Sequence, residues 1–185
     1  MPRLTFITLI LLLVGCSAAT RYIINVNILS FIPQNQRTLT IPAGSGSLLF
    51  PGANQEGLLV PLPIRLDILE RGQILVVANL TNTGNTAFSG SYELRLAREN
   101  DTNVNDNTGG DIGLGAGSFN VPVGGTQEIS INLALSDTQN RHALDIIRGG
   151  AFRVAIRVGA SSSGGTLALG QGRISVTGRP FAVVK

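Results

Sequence analysis

The sequence predicts an all-β protein, an antiparallel β-sandwich of about seven to nine strands with one short helix at about residues 138–148. Short segments in which apolar and polar residues alternate recur along the chain, and each needs one buried and one solvated face. Glycine is abundant, with 23 in 185 residues, and turn-forming residues separate the alternating segments. Both features favour two sheets packed face to face.

The clearest strands lie in the second half of the chain. In residues 127–135 and 151–158, the face to be buried consists of Ile129, Ile131, Leu133, Leu135, Phe152, Val154, Ile156 and Val158. In residues 91–96, the polar members of the alternation are Glu93 and Arg95, so we expect both on the solvated face. Further candidate strands are residues 22–29, 64–69, 74–80, 118–123, 166–169 and 173–177.

One segment has helical rather than strand periodicity. Residues 138–148 carry an apolar stripe made of Ala143, Leu144, Ile146 and Ile147. Asp137 precedes the segment as a candidate N-cap, and Gly149 follows it as a candidate stop. We therefore predict a short helix packed on the sandwich between two of its strands.

The N-terminus has the features of an export signal. Arg3 is the only charge before an apolar run at residues 7–14, which is too short to span a bilayer. The run ends in Leu13-Val14-Gly15-Cys16, which resembles the lipobox of bacterial lipoproteins. That resemblance implies cleavage before Cys16, a diacylglycerol thioether on its sulfur and an acylated new N-terminus. The alternative is an ordinary signal peptide in which Cys16 is incidental.

The chain divides into four parts within one domain. These are a signal peptide at 1–15, a lipidated tether at 16–21, an extended or edge-strand arm at 22–63, and the β-sandwich body at 64–185. Cleavage would remove only Arg3 among the charged residues and leave 13 basic against 11 acidic residues. The basic residues are scattered, so the sequence does not favour nucleic-acid binding.

The order of segments also resembles known domains. A strand at 74–81 runs into Asn82-Thr-Gly-Asn-Thr86, and the short helix precedes a strand at 152–158. Over about residues 64–180, this order is similar to the water-stress domain of group 2 late-embryogenesis-abundant proteins and to bacterial adhesion-related immunoglobulin-like domains. The resemblance implies an immunoglobulin-like sandwich without catalytic residues, and the first family implies protection against desiccation.

The sequence does not favour catalysis. His142 is the only histidine, and Asp145 could orient it from one turn away. However, the chain has no Gly-x-Ser-x-Gly nucleophile elbow, and the lipobox assigns Cys16, its only cysteine, to lipid. We therefore predict that the protein is not an enzyme and that His142 is a solvated helix residue.

The segment richest in candidate ligands is loop 99–111. Its oxygen-bearing side chains suit a hard cation such as Ca²⁺, and the candidate ligands are Asp101, Asn103, Asn105, Asp106 and Asp111. The loop departs from the EF-hand pattern, because the glycine and glutamate positions are occupied by Asp106 and Ile112. Asn, Asp, Thr and Gly also dominate ordinary hairpin loops, which is the simpler interpretation. No cofactor other than Ca²⁺ is predicted.

Together these observations predict a lipid-anchored protein of the bacterial cell envelope that acts as a non-catalytic structural or protein-interaction module. Its partners would be the membrane, through the lipid, and another envelope protein, recognised by strand edges or by loop 99–111. Ser17 follows Cys16, and by similarity to proteobacterial lipoproteins this favours the outer over the inner membrane. The alternatives are a calcium-dependent binding or adhesion module and a desiccation-protection protein.

Overall fold

The computed structural model describes residues 21–51, 55–63 and 68–179. Cys16, the lipobox and nearly all of the predicted tether lie outside these ranges. No helix within them is long and apolar enough to cross a membrane. The described ranges hold helix α1, Arg141–Arg148, and ten strands: β1 Tyr22–Asn27, β2 Thr38–Ile41, β3 Gly44–Phe50, β4 Leu58–Pro61, β5 Ile68–Asn82, β6 Phe88–Arg98, β7 Ile112–Val121, β8 Thr126–Ser136, β9 Ala151–Ser162 and β10 Gly165–Arg179.

The strands form two antiparallel sheets, which confirms the predicted sandwich. In sheet A, β1 and β2 lie one after the other along β10, followed by β5 and β8. In sheet B, β3 and β4 lie one after the other along β9, followed by β6 and β7. The strand number exceeds the predicted seven to nine because residues 22–63 supply four short strands, which form the outer row of each sheet.

The connectivity is that of a jelly roll. From β5 onward the chain crosses between the sheets at every connection except the β6–β7 hairpin, and the last strand lies beside the first. This order is a pair of Greek keys and differs from the strand order of immunoglobulin domains, although both are antiparallel sandwiches.

The core lies between the sheets and follows the alternation of the sequence. Ile129 and Ile131 of β8 face Phe152, Val154 and Ile156 of β9 across one continuous cluster of buried side chains. Burial of this apolar area is the main stabilising term, at about 25 cal/mol per Å².

Helix α1 starts later than the sequence predicts. Asp137 is not its N-cap, because the hydroxyl of Ser136 accepts the backbone N–H of Gln139 at 3.0 Å and holds the intervening residues in a turn. The helix begins after Asn140, which adopts a left-handed conformation. It ends as predicted, with Gly149 as the C-cap. Its last residue, Arg148, donates to the carbonyl of Leu69 at 2.6 Å and so ties the helix to β5.

Asn82 links backbone groups at the end of the sandwich where β5 ends and β6 begins. Its side chain is buried, and its amide N–H groups donate to the carbonyls of Thr86 at 2.8 Å and Val121 at 3.0 Å. Its amide oxygen accepts the N–H of Gly84 at 3.0 Å. One side chain thus satisfies three backbone groups, two in the β5–β6 loop and one at the end of β7.

We predict that Asn82→Ala lowers the free energy of unfolding by about 2 kcal/mol, because the substitution leaves the buried carbonyl of Val121 without this partner and removes two partly buried bonds of the β5–β6 loop. Urea denaturation measures this change. The matched control is Asn79→Ala on the exposed face of the same strand, with an expected effect within about 0.5 kcal/mol. Equal losses for the two variants would contradict the role of Asn82.

Candidate functional site

The two long sides of the sandwich are built differently. At one side the edge strands β7 and β8 pack against each other. Gly115 allows this approach, since a Cβ on it would lie 2.6 Å from the methyl Cγ2 of Ile131. At the other side, the 3₁₀ turn Ile28–Phe31 packs against β4 and β10. It fills the half of the gap between the sheets that lies next to β1 and β4.

The other half of that gap, between β2 and β3, is a cleft of about 570 Å³, which we call the edge cleft. Its floor is apolar and includes Leu39, Leu48 and Phe50. Its rim carries the amides and hydroxyls of Asn35, Gln36, Gln55, Asn105, Thr38 and Ser47. Among the described residues that line it, none is charged. A cleft of this size with an apolar floor and a few polar groups is typical of a binding site.

The edge cleft continues along β3. A smaller cavity of about 100 Å³ follows it toward the Pro42 turn and shares Ser47 and Leu48 with it. The recess therefore runs along most of this edge strand.

Among the residues that the structure describes, strand β3 forms a free edge. It pairs with β9 on one side, and no backbone hydrogen bond from another described segment reaches its other side. Edge strands are commonly protected by charged residues, by proline or by being very short. The seven residues of β3, Gly-Ser-Gly-Ser-Leu-Leu-Phe, include no charge and no proline. By contrast, β4 has four residues and ends in Pro61. The backbone groups on the free side of β3 are thus available to another strand.

Loop 99–111 does not extend into solvent but folds back over the outer face of sheet B. Val104 is fully buried there against Ala97 and Ala155, with Leu49 beside them. These four residues form a second, small hydrophobic cluster. The alternating pattern did not predict this cluster, although two alanines on otherwise polar strand faces and one valine in a polar loop are a possible signal for it.

Arg95 holds the loop on the sheet. We expected its side chain in solvent, and this was wrong, because the loop covers it and leaves only 2% of it exposed. It forms an ion pair with the fully buried carboxylate of Asp111. Its Nε donates to the carbonyl of Val104 at 2.7 Å, and its Nη2 donates to Asn107 Oδ1 at 2.8 Å. A buried cation needs such partners to offset its lost hydration.

Most of the other predicted ligands accept hydrogen bonds from backbone N–H groups of their own loop. Asp101 Oδ1 accepts the N–H of Asn103 at 2.9 Å, and Asn103 Oδ1 accepts the N–H of Asn105 at 3.2 Å. Asp106 Oδ1 accepts both the hydroxyl and the N–H of Thr108, and these bonds lower the pKa of its carboxyl. These are the local bonds that the plain-loop interpretation expects.

Within the described ranges, no three His, Cys, Asp or Glu side chains are grouped where they could hold a metal ion. One oxygen of Asp101 and one of Asp111 are buried without a hydrogen-bond partner among those residues. Calcium binding by this loop stays a prediction.

Asn105 connects the loop to the edge cleft. Arg157 Nη1 donates to Asn105 Oδ1 at 3.0 Å, while its Nη2 lies 2.5 Å from Glu93 Oε1. Asn105 is therefore held by a guanidinium that is itself held by a carboxylate. The Arg95 and Arg157 interactions together place one polar group at the rim of the cleft.

The structure does not bring His142 and Asp145 together as a catalytic pair. His142 is exposed, and Asp145 Oδ1 accepts from Arg148 Nη1 at 2.6 Å.

No protein-family model and no curated protein matches this chain. Among solved structures, one of infectious bursal disease virus, Gx strain, aligns with 90% of the chain at 9% identity and a TM-score of 0.45. The chain covers about a third of that viral protein's length, 35%. The xylan-binding module CBM15 aligns with 88% of the chain at 11% identity and a TM-score of 0.36, with all of that module covered, 100%. The C-terminal CBM6 of LamC from Zobellia galactanivorans aligns with 83% of the chain at 12% identity and a TM-score of 0.28, with 98% of that module covered.

We predict that Asp111→Ala lowers the free energy of unfolding by about 3 kcal/mol, because it removes the fully buried carboxylate from the Arg95 guanidinium and leaves Glu93, at 3.2 Å, as its remaining counter-charge. Replacing both partners, Arg95→Met with Asp111→Leu, should cost less than Asp111→Ala alone. Denaturant unfolding of both variants measures the difference. Asp106→Ala, in the same loop but exposed, is the control, with a loss below about 1 kcal/mol. A double variant less stable than the single one would contradict this assignment.

Proposed function

We propose that this chain is a lipid-anchored protein of the bacterial cell envelope, held in the outer membrane through Cys16. It acts there as a non-catalytic protein-interaction module that takes up a strand of a protein partner in the envelope along the edge cleft. The observation that carries the interaction part of this proposal is the unprotected free edge of β3 beside a neutral, amide-rimmed cleft. The lipobox carries the anchoring part.

Strand addition explains how such a site would work. An extended segment of the partner would add to β3 and use its free N–H and C=O groups for main-chain hydrogen bonds, which supply affinity. Alternate side chains of the added strand would point toward the cleft, where an apolar floor and neutral amides select for uncharged residues. A charged side chain would lose hydration there without gaining a counter-charge.

The place where the chain enters the sandwich supports this arrangement. Strand β1 begins at the level of Leu69, because Tyr22 and Leu69 both pair with Gly178. Strand β2 begins at the level of Asn79, since both pair with Ala168. The ten residue-to-residue steps of β5 from Leu69 to Asn79 span about 33 Å. A lipid attached just before β1 would leave the edge cleft uncovered.

Two ion pairs to Glu70 stabilise the place where the chain enters β1. Glu70 Oε2 accepts from Arg21 Nε at 2.8 Å, and its Oε1 pairs with Arg179 Nε at 2.8 Å. The hydrogen bond from Arg21, with the charges of both guanidinium groups, lowers the pKa of Glu70. Because the pKa of Glu70 is lowered, these ion pairs contribute their full stabilisation above the ordinary pKa of glutamate. The contribution is lost as the pH falls through the lowered pKa.

Exposed apolar side chains also cluster at this end. Tyr22 is 46% exposed and Ile23 is 68% exposed, directly after the predicted tether. Tyrosine is enriched at membrane–water interfaces, where one part of its ring is apolar and its hydroxyl stays wet. Their position suits the part of the domain closest to a lipid surface.

We predict that the native protein begins at Cys16 and carries added acyl mass, and that the Cys16→Ser chain lacks this mass, keeps residues 1–15 and no longer reaches the outer-membrane fraction of lysed cells. Intact-protein mass spectrometry and fractionation measure the two effects. Ser17→Ala is the control and should leave both properties unchanged. A native N-terminus upstream of Cys16 or an unmodified sulfur would refute the anchoring.

We predict that the full chain, isolated from detergent-solubilised envelopes, carries a stoichiometric protein partner, which is either another protein or a second copy. Ser45→Lys with Ser47→Lys should reduce its recovery at least about tenfold, which corresponds to about 1.4 kcal/mol, because lysine on an edge strand opposes pairing. Ser130→Lys, on the exposed face of β8, is the matched control and should retain the partner. Quantitative mass spectrometry of the isolates measures recovery. Isolation of the chain alone as a monomer would contradict the interaction.

A further inference from the structure

We infer that the partner of β3 is a second copy of this chain, paired antiparallel to it about a two-fold axis that passes beside Ser47. This inference rests on the proposed function, because it takes the free edge of β3 as the interaction site and names what occupies it.

The order of small and large residues along β3 supports a symmetric pair. Ser47 is the central residue of the strand, with Gly44, Ser45 and Gly46 before it and Leu48, Leu49 and Phe50 after it. A two-fold axis beside Ser47 places Gly46 opposite Leu48 of the second copy, Ser45 opposite Leu49 and Gly44 opposite Phe50. Each large residue then faces a small one, and Ser47 faces its own equivalent. The edge is thus complementary to itself, as an isologous interface requires.

On its other side the strand pairs in the opposite sense, with large residues opposite large ones and small residues opposite small ones. Leu48, Leu49 and Phe50 lie opposite the large residues Val158, Arg157 and Ile156 of β9. Gly44, Ser45 and Gly46 lie opposite Ser162, Ser161 and Ala160, which are all small. A second β3 would reverse this match on the free side and place a large residue beside every small one.

The charges near the edge favour a neutral partner such as β3 itself. The strand has no charged residue, so two copies meet without like-charge repulsion. Arg157 is the cation beside Leu49 in the neighbouring strand, and it is already engaged by Glu93 and Asn105. An acidic partner segment would therefore find no free cation on this strand or at its pairing with β9.

Pairing of two β3 strands would also bury residues that are exposed in the single chain. Gly44 to Ser47 are exposed and Leu48 and Leu49 are half-buried in the single chain. Pairing would cover these residues and satisfy the backbone groups on the free side of the strand. It would also join the two B sheets into one continuous antiparallel sheet, as in other complexes formed by strand addition.

Site-specific photo-crosslinking tests the inference in the full chain. p-Benzoylphenylalanine is placed at position 47, where the equivalent residue of a second copy would have its Cβ about 5 Å away. The control carries it at position 130, on the exposed face of β8. Cells that export the chain are irradiated, and mass spectrometry identifies the adducts.

The expected result is a covalent homodimer, cross-linked from position 47 to residues 46–48 of the second copy and absent at position 130. An adduct of position 47 with a different protein would overturn the inference and leave the proposed function in place. No adduct at position 47 above the level at position 130 would overturn both.

Sedimentation of the full chain in detergent provides an independent measurement. We expect a dimer whose dissociation constant rises at least about tenfold with Ser45→Lys and Ser47→Lys but not with Ser130→Lys. Equal thermal melting of the dissociated variants would show that they remain folded. A monomer in the native chain, or dimers of equal affinity in all variants, would overturn the inference.

Discussion

The buried ion pair between Arg95 and Asp111 determines the form of one whole side of this protein. Without the loop above it, the outer face of sheet B would expose a cation, two alanines and the half-buried Leu49. With the loop in place, the guanidinium exchanges water for a carboxylate, a carbonyl and an amide oxygen. Neutralising a buried charge matters more than any one of the loop's local bonds, because an unpaired charge costs several kcal/mol. The position of Asn105 at the cleft follows from this docking.

The sequence predicts the parts of this fold that depend on neighbouring residues. Alternation in β8 and β9 identified the buried faces, since side chains on a strand point to opposite faces with a period of two. The end of α1 was predictable from Gly149, whereas its start depends on a turn formed by Ser136. Strand order was not predictable, because no local pattern shows that β10 lies beside β1 and β5.

The candidate site shows the same limit. The alternation placed Arg95 on the polar face of its strand, and nothing near it in sequence indicates that residues 104–111 return to cover it. The edge cleft could not be predicted from the sequence for a similar reason. It lies between β2 and β3, which belong to different sheets. Only the composition of β3 was readable in advance, as a run of small residues followed by large apolar ones. Its significance as a free edge depends on the sheet order.

Anchoring and symmetric pairing together constrain how the proposed dimer would sit on a membrane. Antiparallel pairing of β3 reverses the strand direction, so the two chains would enter their sandwiches at opposite ends of the joined sheet. Two anchors in one membrane require the two-fold axis to lie along the membrane normal, and the axis of an antiparallel strand pair is perpendicular to its sheet. The sheets would then lie parallel to the membrane rather than upright. Residues 16–20 reach at most about 17 Å when extended, and this short reach favours the orientation in which sheet A, to which β1 belongs, is the nearer sheet. The exposed cations Arg71 and Arg173 on the outer face of sheet A would then lie toward the lipid headgroups.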